Sequence, residues 1–129
     1  MSERRRIATD GAPRALGPYA QAVIAGDLVF CAGQVGLDPA TGALVPGGIG
    51  PETARVLDNL TAVLAAAGLG LVDVVKTTVY LVDLAEFAAL NEVSSRYFPV
   101  PYPARATVQV AALPAGARVE IEAIAVRRE

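Results

Sequence analysis

Two charged residues stand where strand-like segments have no need of them. Arg105 heads the run Ala106–Leu113, and Glu120, followed by Glu122, interrupts the run Arg118–Val126. A guanidinium is a planar fork that grips a carboxylate bidentately, which a lysine ammonium cannot do. A carboxylate on an otherwise apolar stripe needs a partner or a task, and proton transfer is one such task. The plainer reading is that Glu120 and Glu122 are edge charges that discourage strand-to-strand aggregation. What the chain lacks narrows the chemistry further. None of its 129 residues is histidine, which removes Ser-His-Asp and Cys-His nucleophiles, the usual zinc sites and any imidazole base. Proton chemistry must then rest on carboxylates, tyrosine, lysine or bound water. Cys31 has no visible base or cationic neighbour and reads as a small buried hydrophobe. Lys76, the lone lysine, would serve a Schiff base only if desolvated beside a pocket, and otherwise reads as a solvent-facing strand residue.

Strand side chains alternate, so Arg105, Thr107 and Gln109 share one face, with Val108 and Val110 on the other. In the second run Val119, Ile121, Ala123 and Ala125 point one way, and Glu120, Glu122, Ile124 and Val126 the other. Pro114-Ala115-Gly116-Ala117 joins the two runs. Upstream, residues 1–16 read as an irregular arm with basic Arg4–Arg6 as a solvated tail, and Gly17 and Pro18 continue it. Tyr19–Ile24 and Leu28–Gly33 form a hairpin about the Gly26-Asp27 turn, with Cys31 and Gly33 on one face. Asp38 to Gly50 is loop. Pro51 to Ala67 is a helix with Pro51 at its first position, an apolar face of Leu57, Leu60, Val63, Leu64 and Ala67, and Gly68 as its stop. Val74–Val82 is a strand, and Asp83 to Glu86 has capping-box spacing for a second helix running to Tyr97. That helix carries Leu84, Phe87, Leu90, Ser94 and Tyr97 on one face.

The order hairpin, helix, strand, helix, strand, strand is α+β with crossover helices. It makes Leu28–Gly33, Val74–Val82 and Ala106–Leu113 parallel and the last strand antiparallel to them. Arg105 and Glu120 then begin oppositely directed strands, roughly 15–20 Å apart at about 3.3 Å per residue, too far to share a small substrate within one chain. Two helices cover only one face of the sheet, yet the last strand is apolar on both. The open face therefore wants another subunit.

The series Pro103-Ala104-Arg105, Thr107, Leu113-Pro114 and Val119-Glu120-Ile121-Glu122-Ala123-Ile124-Ala125, together with Gly17-Pro18-Tyr19-Ala20-Gln21-Ala22-Val23, resembles the RidA (YjgF) family of reactive-intermediate deaminases from Gly17 to Arg127. The resemblance implies a chorismate mutase-like fold, a mixed sheet with two helices on one face, and a homotrimer with sites between subunits. It implies hydrolysis of 2-enamine or 2-imine carboxylates such as 2-aminoacrylate to 2-oxo acids and ammonia, with no cofactor and no metal. In that scheme Arg105 holds the carboxylate, Gly33 and Thr107 add backbone N–H groups, Glu120 handles water and proton, and Tyr19 and Asn91 border the pocket. Many relatives carry Cys or Ser at position 107, where this chain has Thr107. Without the resemblance, Tyr19 reads equally as a packed strand aromatic and Asn91 as a surface residue.

Two rival functions belong to other classes. A regulatory trimer that captures 2-oxo acids without turnover would need Arg105 but not Glu120. RNA cleavage or translation inhibition fits poorly with the net charge of −2 and the absence of histidine. No run of roughly 18 apolar residues or signal-peptide pattern is present, and a lone cysteine suits a reducing cytoplasm.

Overall fold

The computed structural model describes residues 4–128. Alternating runs become strands: β1 (Arg4–Ile7), β2 (Ala22–Ala25), β3 (Leu28–Val35), β4 (Val74–Leu81), β5 (Ala104–Gln109) and β6 (Val119–Val126). They form one sheet in the order β1-β2-β3-β6-β4-β5. The helices are α1 (Ile49–Ala66) and α2 (Phe87–Tyr97). Val29, Val79, Leu81, Val119 and Ile121 from the sheet and Val56, Leu57, Leu60, Val63 and Leu64 from α1 are almost wholly buried in one core cluster with Leu90 and Val93 of α2. Both helices thus lie on one side of the sheet, as expected.

β3 and β4 both run antiparallel to β6, and β5 runs parallel to β4, so β3, β4 and β5 are mutually parallel. The final strand does not fold back beside β5. It passes over that strand and inserts between β3 and β4. Its alternation explains the choice: Val119, Ile121, Ala123 and Ala125 are buried, and only an interior place in the sheet buries such a face completely.

Four expectations need correction. The arm is not irregular throughout, since Arg4–Ile7 pairs with β2 as an edge strand; its first three residues lie outside the described ones. Three exposed arginines on an edge blunt further pairing, so this basic run is strand and not tail. β5 stops at Gln109 and not Leu113, because its partner β4 ends at Leu81 and Val110 N donates the last bond to Leu81 O at 2.8 Å. β3 continues past Gly33 to Val35 through a bulge. Cys31 pairs with Ala123 and Gln34 with Ile121, so three steps on β3 match two on β6. This extra residue turns Gly33 away from Cys31, which it had been expected to share a face with. Lastly, α2 begins at Phe87 after a tight turn over Leu84–Glu86, and its buried residues are Leu90 and Val93.

Turn chemistry follows the sequence closely. Gly26 (φ 61°) makes the hairpin turn and Gly68 (φ 78°) follows α1, both in the left-handed region that glycine enters without steric cost. Asp83 accepts from Ala85 N at 2.9 Å, capping the turn before α2, while Glu86 leaves the capping box to pair with Arg118 at 3.3 Å. Glu52, in the first turn of α1, is buried and accepts from Arg118 N at 2.8 Å, tying that helix to the start of β6.

Candidate active site

Arg105 and Glu120 are separated more thoroughly than strand direction alone implies. Arg105 pairs with Thr77, and Thr77 with Ala123, three residues from Glu120 along β6. That offset is about 10 Å along the strand and two strand spacings across, so the two Cα atoms are about 14 Å apart, a little closer than expected. They also occupy opposite faces. Thr77 is buried on the helix side and carries Arg105 with it, whereas Glu120 alternates with buried Val119 and Ile121 and points to the open side.

On the helix side, Arg105 stacks its guanidinium over Phe87 at 5.2 Å from the ring centre, which fixes the fork near the sheet edge. Beneath it lies a cavity of about 320 Å³ between α2 and the β4–β5 pair, lined by Arg105 and Asn91 with Ser94, Phe98, Tyr102 and Ile121. Asn91, expected as a surface residue on sequence grounds alone, faces this cavity. Thr107 follows Arg105 by two residues on the same face, paired with Val79. Gln109, the third of the series, accepts from Leu84 N at 2.9 Å and so ties β5 to the turn that starts α2.

On the open side, Gly33 and Glu120 meet. A methyl group at Gly33 would lie 3.0 Å from Glu120 Cγ and collide with the carboxyl beyond it, so glycine at the bulge is what leaves room for this side chain. Glu120 is only partly exposed. Burial is the main cause that pushes its carboxyl above the usual range, and the neighbouring Glu122 charge adds to it. Glu122 itself accepts from Tyr80 OH at 3.1 Å.

Tyr19 is the remaining residue expected at the site. It is 57% exposed, so it is not a packed strand aromatic, and it lies in the loop before β2. Gln21, which sequence reasoning left without a role, organises that loop. Its buried amide accepts from Thr9 N at 2.7 Å and donates to Pro13 O at 2.7 Å. Its backbone oxygen accepts from Ala32 N at 2.9 Å, which sets the Tyr19 loop beside the Gly33 bulge.

Cys31 is buried, and its thiol is pushed up to about 11 by that burial, so it stays protonated and inert. Lys76 lies on the open face with Nζ 3.4 Å from Thr78 Oγ1. Among the described residues, then, a cation beside a largely apolar cavity lies on one face of the sheet and a carboxylate in a glycine niche on the other.

The comparisons agree with this architecture. The family model described as Endoribonuclease L-PSP matches residues 9–127. The goat 2-iminobutanoate/2-iminopropanoate deaminase is 52% identical over 96% of this chain and 90% of its own. The chain belongs to the RidA/YjgF family. Among solved structures, RidA from an Antarctic Psychrobacter is 50% identical with a TM-score of 0.92, covering 95% of this chain and 98% of that one. Escherichia coli TdcF, solved with serine bound, is 42% identical with a TM-score of 0.91, covering 96% and 99%. The mixed sheet with two helices is therefore the RidA-type α+β architecture. Among the described residues no helix is long and apolar enough to cross a membrane.

Proposed function

We propose that this member of the RidA/YjgF family hydrolyses reactive 2-enamine and 2-imine carboxylates to 2-oxo acids and ammonia, in the cytoplasm, as a homotrimer of chorismate mutase-like subunits. The observation that carries the reading is the division of the site. Neither half contains both a carboxylate-binding cation and a proton carrier, and the two halves lie on opposite faces of one sheet. A second copy resting on the open face would bring the two together. That face is suited to it, since Phe30 is 42% exposed and adjoins Ile124 in the register, with Leu28 paired to Val126 beside them. A cyclic arrangement then forms one site at each interface. The goat relative's name supports the reaction.

In this scheme Arg105 grips the substrate carboxylate, helped by the N–H groups of Thr107 and, across the interface, Gly33. Asn91 and Tyr19 border the bound molecule. Glu120 of the adjoining copy takes a proton from water as the oxygen attacks the imine carbon. The imine reacts in its N-protonated form, so the carbinolamine that results is neutral; Glu120 passes the proton on to its nitrogen, and the C–N bond then breaks as the hydroxyl proton returns to Glu120, releasing ammonia and the 2-oxo acid. A carboxyl raised by burial exchanges protons nearer neutral pH than an ordinary glutamate, which suits it to both steps. One acid/base residue typically contributes about 10²–10⁴-fold, sufficient for a substrate that already hydrolyses unaided. Capture of a 2-oxo acid without turnover would not require a carboxylate niche at Gly33.

The test generates imines in situ with an amino-acid oxidase and traps survivors with semicarbazide. Wild type should suppress trapping, whereas Arg105→Ala and Glu120→Ala should each lose at least about 10²-fold in kcat/KM. Co-assembled subunits of the two variants should regain part of the activity, because some interfaces then carry both intact halves. Activity in neither variant nor mixture would leave deamination possible but sink the shared site; inactivity of wild type would sink the enzyme.

A further inference from the structure

The inner face of α2 carries an apolar stripe at helical spacing, and that stripe fails at one place. Leu90 and Val93 are buried, but the next core-facing position is Ser94, a side chain too small to reach the sheet. The consequence is the 320 Å³ cavity, whose floor is Val79 and Ile121 of the sheet and whose far wall is Phe98. A helix that needed only to pack would fill this volume, since interiors are close to crystal density. Moreover, the cavity wall carries the polar side chains of Ser94, Thr77 and Asn91, none of them in a side-chain hydrogen bond seen among the described residues. An apolar chamber with a few convergent, unengaged polar groups has the character of a ligand site.

Arg105 is part of its lining. A water occupies about 30 Å³ of liquid, so the chamber has the volume of roughly ten waters, far more than the side chain of an alanine-derived imine would fill. We infer that the chamber beneath Arg105 receives the side chain of the imine, that the substrates it fits are those with large uncharged side chains, and that Ser94 sets their size limit. The inference rests on the deaminase reading and deepens it. Charged side chains are excluded by the lining: its only formal charge is Arg105, which the substrate carboxylate engages, so a second ion would enter without a partner. Displacement of loosely held water by an apolar side chain adds affinity, and each methylene in such a pocket is worth on the order of 10-fold or more.

The decisive experiment compares kcat/KM for imines derived from alanine, leucine, phenylalanine and glutamate in wild type, Ser94→Ala and Ser94→Leu. Wild type should process the leucine and phenylalanine imines at least as efficiently as the alanine imine, and the glutamate imine worst. Ser94→Leu fills the chamber and should lower the large-to-small ratio tenfold or more, mainly through KM, while Ser94→Ala keeps it within about twofold. If Ser94→Leu does not assemble, Ser94→Val is read for the same sign. Equilibrium inhibition gives an independent arm, in which 4-methyl-2-oxopentanoate should bind wild type more tightly than pyruvate and lose that advantage in Ser94→Leu. Wild type active on the alanine imine but a hundredfold poorer on large ones, or a Ser94→Leu that weakens all imines equally, overturns the subsite and leaves the deaminase standing. Wild type inactive on every imine removes the deaminase reading, and the subsite with it.

Discussion

The two faces of this sheet are built from the same strands and obey different rules. Toward the helices, Val79, Leu81, Val119 and Ile121 share one face and are almost fully buried in the core that α1 closes. Toward the open side the same strands carry Tyr80, Glu120, Glu122, Lys76 and Phe30, a mixture that suits neither a core nor a plain solvated surface. Apart from Arg105 at its edge, the first face is specified by volume, and the other by chemistry. The lesson is that a strand's period of two can write a packing instruction and a functional one on a single segment.

Substitutions on each face should therefore fail differently. The largest effect is expected on the packed side, where Leu60→Ala removes a fully buried side chain and should cost about 2–5 kcal/mol in chemical denaturation. Phe30→Ser on the open side should scarcely alter the subunit's own core, but it should shift the proposed trimer toward smaller species in sedimentation. Equal loss of folding stability from both would erase the distinction between the faces. Next in size is Gly33→Ala. Its methyl must displace the Glu120 carboxyl, and a misplacement of about 1 Å can cost on the order of 10²-fold in turnover with little change in melting temperature. Wild-type turnover in that variant would show that the niche is not functional.

The smallest and sharpest prediction concerns pH. Burial first, and the Glu122 charge second, raise the Glu120 carboxyl. If its ionised form activates water, activity falls as pH drops through that raised value, so the acid limb lies above the ordinary glutamate range. Glu122→Gln removes the second cause and should move the limb to lower pH while leaving the plateau nearly unchanged. A limb that stays in place would mean that another group titrates.

Much of this was legible in the residues. Alternation in Val119–Val126 and Val74–Leu81, the face of α1, and glycine at positions 26 and 68 each announce local structure that tertiary packing does not override. The shared face of Arg105, Thr107 and Gln109 follows from the same period. What was hidden is non-local. Nothing within Leu28–Val35 says that one residue will bulge, yet that bulge decides which way Gly33 faces. Arg4–Arg6 lack the alternation that marks a strand, and only pairing with β2 makes them one. The chamber under α2 was present as Ser94 in an otherwise apolar stripe, but spacing alone does not distinguish a gap from a packed serine.

The place of β6 has a consequence for how the molecule comes into being. The strand that lies between β3 and β4 is the last of the six to be synthesised. Until it leaves the ribosome, β3 and β4 have no common partner, their edges stay open, and the inner face of α1 has only half of its sheet to rest on. Non-local pairing of this kind is slow and leaves a nascent chain open to wrong associations. Because Glu120 rides on that strand, the carboxylate proposed as proton carrier and the keystone of the sheet arrive together, and a chain that has not finished folding has nothing to set in the Gly33 niche.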